Sequence, residues 1–231
     1  MKTIGLLGGM SWESTTLYYQ GINQLVRHEL GGLHSANIAM ISVDFQVIED
    51  LQTQNKWKEA GDLLSRAASQ VESAGADFLL ICTNTMHKVA PQIEDEITIP
   101  LLHIADATAD EIKKRGMTTI GLLGTNFTME QKFYAGRLKE KHGLNVLIPQ
   151  KKDRDIVHQV IYDELVLGIQ SEESRKEFLR VMNTLHEQGA QGMVEGCTEI
   201  GMLVQQKHTS IPLFDTTMIH VQKAVELALS S

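Results

Sequence analysis

Gly189-Ala190-Gln191-Gly192-Met193-Val194-Glu195-Gly196-Cys197-Thr198-Glu199 reads as a helix-ending glycine feeding a buried strand whose end presents a thiol and a short polar run. The chain holds a second version of it, Gly75-Ala76-Asp77-Phe78-Leu79-Leu80-Ile81-Cys82-Thr83-Asn84. The two Gly-Ala pairs are 189 − 75 = 114 residues apart, and that offset carries Cys197 onto Thr83 rather than Cys82. The repeat therefore predicts two equivalent strand ends, one bearing Cys197 and the other Thr83.

Two further segments repeat in the same order. Thr119-Ile120-Gly121-Leu122-Leu123-Gly124-Thr125 copies Thr3-Ile4-Gly5-Leu6-Leu7-Gly8-Gly9 in six of seven positions at an offset of 116, and Ile211-Pro212-Leu213-Phe214-Asp215 echoes Ile99-Pro100-Leu101-Leu102-His103 at 112. Three matches with drifting offsets indicate a duplication, so the 231 residues are expected to form two domains, 1–104 with 215–231, and 105–214. Apolar runs at Thr3–Leu7, Ala36–Phe45, Asp77–Cys82 and Ile99–Ile104 alternate with helical periods from Trp12 to about Glu29 and from about Lys56 to Ala74. In the second half, helices are expected over Ile156–Leu167 and Glu172–Gln188. Thr217–Leu229 reads as a final helix returning to the first domain. Alternation of this kind predicts α/β domains, each with a four-stranded parallel sheet covered by helices on both faces.

Parallel sheets bind ligands beyond the carboxyl ends of their strands. Gly8-Gly9-Met10, Thr83-Asn84-Thr85, Thr125 and Cys197-Thr198-Glu199 all fall there, and a pseudo-twofold would set Thr83 and Cys197 on opposite walls of a cleft. The glycines after the first strand lack the spacing of a dinucleotide site, and no phosphate-loop pattern occurs. A tight turn presenting backbone N–H groups to a small ligand fits better.

A net charge of −8 excludes a general nucleic-acid binder, which needs a basic face, but permits a local site for a small anion. No apolar run reaches the ~20 residues needed to cross a bilayer, and the start of the chain lacks a signal-peptide pattern. The two cysteines are expected as free thiols. A cytoplasmic protein without membrane contact is the expectation. No His/Cys/Asp spacing predicts a metal site.

Two proton-handling groups on opposite faces of one bound molecule are what stereoinversion at carbon requires. A thiol suits that task when a helix N-terminus or nearby donors lower its pKa from about 8.5. Backbone N–H groups after Thr83 and Cys197 would hold a carboxylate and stabilise an enolate-like intermediate. Such chemistry requires neither metal nor pyridoxal.

The runs Gly8-Gly9-Met10-Ser11, Thr83-Asn84-Thr85-Met86-His87, Gly124-Thr125 and Gly196-Cys197-Thr198-Glu199 together resemble the aspartate/glutamate racemase family over the whole chain, in particular the L-aspartate/glutamate-specific branch with Thr at one catalytic position. The resemblance implies a cofactor-independent amino-acid racemase of two similar domains, assembled as a homodimer. It implies Thr83 and Cys197 as the catalytic pair, with Met10, Asn84, Thr85, Thr125 and Thr198 holding the α-carboxylate and amino groups. It also implies Gln52 at the substrate's side-chain end. Glu199, acidic and next to the thiol's wall, is expected to bind the ammonium or orient the thiol.

Both half-sites of that family normally carry Cys, the first directly before Asn-Thr. Here Thr83 occupies that place, with Cys82 one position early, where strand alternation turns it into the domain. A hydroxyl is a far weaker acid than a thiol, so Cys197 is expected as the competent base, with Thr83 relaying a proton through a neighbour or water. His87 reads as a structural hydrogen-bonder. The single in-register thiol keeps open decarboxylation or cis/trans isomerisation of small diacids, for which one cysteine suffices. A non-catalytic two-lobed small-molecule binding protein is the alternative outside enzymology.

Overall fold

A computed structural model of the chain describes residues 1–230. They divide into two compact units, residues 1–104 with the segment from His220 onward, and Ala105–Ile219.

In the first unit, β1 (Ile4–Gly8), β2 (Ile38–Ser42) and β3 (Phe78–Ile81) form a parallel sheet in the order β2-β1-β3. Ile4 is in register with Ile38 on one side and Phe78 on the other. Alternate residues feed two separate cores. Ile4, Leu6, Phe78, Leu80 and Cys82 pack with Tyr18, Ile22 and Val26 of the helix Trp12–Leu30 and with Val221, Ala224 and Val225 of the helix Thr216–Leu229. Leu7, Leu79 and Ile81 pack on the opposite face with Ala60, Leu64, Ala68 and Val71 of the helix Trp57–Ser73. Burial on both faces explains why β1 and β3 read as uninterrupted apolar runs, and each fully buried Leu or Ile contributes about 1.5–3 kcal/mol.

The expected fourth strand at Ile99–Ile104 reduces to one bridge between Leu79 and Leu101. The Leu79 N–H donates to the Pro100 carbonyl and the Leu102 N–H to that of Leu79. Pro100 brings no N–H of its own to a ladder, and Ile104 already starts the helix Ile104–Lys114. This sheet has three strands, not four. The second strand is also shorter than expected: Asp44 caps a helix, Phe45–Thr53, by accepting from the Gln46 N–H. Gln52 is therefore helical and buried, one turn from Ile48.

The second unit has four parallel strands, β4 (Thr119–Gly124), β5 (Asn145–Leu147), β6 (Met193–Gly196) and β7 (Leu213–Asp215), in the order β5-β4-β6-β7. Helices Lys151–Asp163 and Glu172–Glu187 carry the chain from β5 to β6. The first of these starts five residues earlier than its apolar period suggested. The unit runs through Ile219, because β7 pairs with β6 and the Thr216 hydroxyl donates to the Glu195 carbonyl at 2.8 Å. No helix among the described residues is long and apolar enough to cross a membrane.

One polar cluster ties the helix Ile104–Lys114 to its own unit. Asp106 accepts two bonds from Arg137, at 2.7 and 2.8 Å, one from Lys141 at 2.7 Å, and lies 2.8 Å from His142 Nε2. Burial alone would raise this carboxyl's pKa, but the three basic partners outweigh it and hold it well below the carboxylate range. A carboxyl depressed on folding stabilises the native state above its unfolded value, about 3.9, and loses that contribution as pH falls toward its folded value. Asp106→Asn is expected to cost about 1–3 kcal/mol at pH 7. Denaturant titration should show this difference shrinking below pH 4; a cost unchanged down to pH 2 would contradict the ionic assignment.

Candidate active site

The carboxyl end of β1 leads into Gly8-Gly9-Met10. Gly9 has φ +92°, and its N–H donates to Thr15 Oγ1 at 2.8 Å, whose hydroxyl donates in turn to the Ser11 carbonyl at 2.9 Å. The Gly8 carbonyl accepts the Val43 N–H at 3.0 Å. The Gly9 N–H expected to face a ligand is thus consumed inside the turn. What the turn delivers is Met10, buried in the apolar cluster that also holds Met86.

β3, paired with β1, ends at Cys82-Thr83-Asn84. Cys82 sits in the core between sheet and helix, and burial pushes its thiol far up. Its carbonyl accepts the Ser14 hydroxyl at 2.8 Å. Thr83 is half-buried, and Asn84 and Thr85 are buried at the start of a 3₁₀ turn, Thr85–Val89. Asn84 makes no side-chain cap bond to that turn. Gln52 Nε2 donates to Met86 Sδ at 2.9 Å, which brings the helix Phe45–Thr53 against the turn after Thr83. Four of the five expected residues of this half, Met10, Thr83, Asn84 and Thr85, follow two paired strands, and Gln52 reaches them through Met86.

In the second unit β4 and β6 are paired with Gly124 opposite Gly196, so their ends deliver Thr125 and Cys197 to one edge of the sheet. Thr125 caps the helix Asn126–Glu130, its Oγ1 accepting from the Thr128 N–H at 3.3 Å. The Cys197 thiol and the Thr198 hydroxyl both donate to Glu199 Oε2, at 2.8 and 2.7 Å, and all three residues are buried. Burial, and then the Glu199 charge and its hydrogen bond, push the Cys197 thiol well up; only the Glu199 backbone N–H favours the thiolate. The expected depression by a helix N-terminus is not met, because the helix that follows, Ile200–Leu203, is one turn long. The contact that a thiol-orienting Glu199 would make is present.

This unit also holds an acidic pair that no sequence motif marks. Glu195 and Asp215 are register partners in β6 and β7. Burial raises both carboxyls, that of Glu195 further under the charge of Asp215. Glu195 Oε1 is buried without a hydrogen-bond partner. Its position in β6, two residues before the thiol, was the available signal.

Two α/β units, each with a parallel sheet and built on one repeat, with a hydroxyl after β3 and a carboxylate-bonded thiol after β6, define a duplicated α/β protein. The chain belongs to the Asp/Glu/Hydantoin racemase family, which it matches over residues 7–224. It is 56% identical to a candidate Asp/Glu racemase from Yersinia pestis, whose crystal structure aligns over 100% of both chains with a TM-score of 0.94. An aspartate racemase homologue from Pyrococcus horikoshii OT3 is 32% identical and aligns over 100% of both chains with a TM-score of 0.87. The broad specificity amino-acid racemase RacX of Bacillus subtilis (strain 168) is 25% identical over 166 residues, 71% of this chain and 70% of that relative.

Proposed function

We propose that this chain inverts the α-carbon of aspartate or glutamate without a cofactor, with Cys197 and Thr83 handling protons on opposite faces of the substrate. The observation that carries the reading is the Cys197–Glu199 bond at the end of β6. A thiol must lose its proton before it can act as a base, and Glu199 is the group positioned to receive it. The thiolate then removes the α-proton, and Asn84, Thr85, Thr125 and Thr198 bind the α-carboxylate and amino group as charge builds on them. Met10 closes this end of the site. Gln52 serves the side-chain carboxylate: its amide now donates to a thioether, a weak acceptor that a carboxylate replaces readily. Thr83 returns a proton by relay from water, since a hydroxyl by itself is too weak an acid. We take the protein to work in the cytoplasm, and as a homodimer, the latter as the resemblance implies.

Deuterium uptake at the α-carbon of each enantiomer tests the roles separately. Thr83→Ala is expected to slow exchange of one enantiomer more than the other. Glu199→Gln is expected to lower the maximal exchange rate by about 10²-fold while moving the acid limb of the pH profile to lower pH, because the carboxylate that raises the thiol is gone. Wild-type exchange of both enantiomers in both variants would remove the basis for this assignment.

A second reading, a single-cysteine decarboxylase or cis/trans isomerase of small diacids, is favoured by the burial of Cys82 in the core, which leaves one thiol at a strand end. Chiral chromatography after incubation with aspartate, glutamate and maleate separates the two.

A further inference from the structure

Three histidines of the first unit, His87, His103 and His220, are buried ring against ring. Their exposures are 1%, 3% and 0%, with 4.4 Å between the ring centroids of His87 and His103 and 6.1 Å between those of His87 and His220. The partners of His87 and His220 fix where their ring protons sit. His87 Nδ1 lies 2.8 Å from the Thr83 carbonyl oxygen, which can only accept, so Nδ1 carries hydrogen. The Ile104 backbone N–H, which can only donate, points at His87 Nε2 from 3.3 Å, so Nε2 offers its lone pair. A proton placed on Nε2 would oppose that N–H. His220 has the complementary arrangement. Its Nε2 faces the Leu102 carbonyl at 2.8 Å and therefore donates, leaving Nδ1 to accept from the Tyr18 hydroxyl at 2.8 Å. Burial, then the neighbouring His87, pulls the His220 pKa down to about 3.

A neighbouring histidine is the ordinary partner for a hydroxyl that must pass a proton, and His87 is four residues from Thr83. Yet both of its ring nitrogens are committed to main-chain groups, and its bond goes to the carbonyl of Thr83. We propose that His87 is a positioning residue for Thr83: a neutral imidazole of fixed tautomer that clamps the Thr83 main chain and takes no part in moving protons. The clamp has a counterpart one residue earlier, where the Ser14 hydroxyl holds the Cys82 carbonyl. It has its own anchor in the segment Leu102–Ile104, held by His220 at one end and bonded to His87 at the other. The proton on the Thr83 side must then come from solvent or substrate.

This inference rests on the proposed role of Thr83, and the test separates the two. In ¹⁵N spectra of the wild-type protein at pH 7, His87 is expected to show a neutral ring with hydrogen on Nδ1. His87→Leu is expected to lower kcat by about 10–100-fold, with KM within about twofold, for the enantiomer whose exchange falls in Thr83→Ala; exchange of the other stays near wild type. His87→Asn, whose amide can donate in place of Nδ1–H, should recover most of the loss. A ring with hydrogen on Nε2, an imidazolium, or equal losses for both enantiomers would overturn the clamp while leaving the functional reading intact. Should His87→Leu fail to fold, the spectrum of the wild-type ring still decides. Wild-type exchange of both enantiomers in Thr83→Ala would overturn the functional reading and the positioning role together.

Discussion

Cys197→Ser is expected to slow α-proton exchange by about 10²–10⁴-fold for the enantiomer deprotonated on this side, the range that a positioned acid–base group supplies. The substitution is conservative where the fold is concerned. Serine keeps a donor for Glu199 Oε2 in the place of the thiol's 2.8 Å bond, so the thermal midpoint should hardly move. What changes is acidity, since a serine hydroxyl is far harder to ionise than a thiol even after burial has raised the latter. The pH dependence of the wild-type protein follows from the same site. Burial and the Glu199 charge raise the thiol's pKa, and the active form is the thiolate. Exchange should therefore climb with pH through 7 and 8 and continue to rise beyond the ordinary thiol value of about 8.5. A plateau already reached at pH 6 would mean that substrate binding reverses the shift, with the substrate ammonium at Glu199 as the cation responsible. Serine exchanging at the wild-type rate would leave the thiol without a chemical role.

The fold was legible because duplication leaves a trace that packing does not erase. The Thr3–Gly9 and Thr119–Thr125 copies became β1 and β4, each flanked by a strand on both sides. Cys82 turned inward and Thr83 stayed half-exposed, as a period of two requires. Three readings failed for local reasons. Ile99–Ile104 has the apolar character of a strand, but a proline and an early helix start leave it a single bridge. Phe45–Thr53 was hidden because Asp44, read as a strand end, is a helix cap. The acidity of Cys197 depends on which neighbour accepts its hydrogen, and sequence spacing does not determine that. Glu199 lies two residues away and so makes the thiol harder to ionise, where a full helix N-terminus would have eased it. The pairing of Glu195 with Asp215 is a matter of strand register, and it joins residues twenty apart in the chain.

Gly9→Ala is expected to cost the first unit about 2–5 kcal/mol, from about 1–2 for an L-residue held at left-handed φ and about 1–3 for overpacking. A Cβ at Gly9 would press into the backbone carbonyl and amide of Val43, which cannot rotate away as a side chain would. The Val43 N–H is itself bonded to the Gly8 carbonyl, so relief requires separating the end of β2 from the turn after β1. Gly75 provides the control: its φ is +90°, nearly that of Gly9, but an added Cβ there meets nothing within 4 Å. Gly75→Ala should therefore show the conformational cost alone, and the difference between the two variants in urea midpoints at constant m measures the Val43 contact. Equal destabilisation would refute the contact. Since small domains have only about 5–15 kcal/mol to lose, Gly9→Ala should also loosen Met10 in the folded fraction, and exchange activity should fall further than the loss of folded protein accounts for.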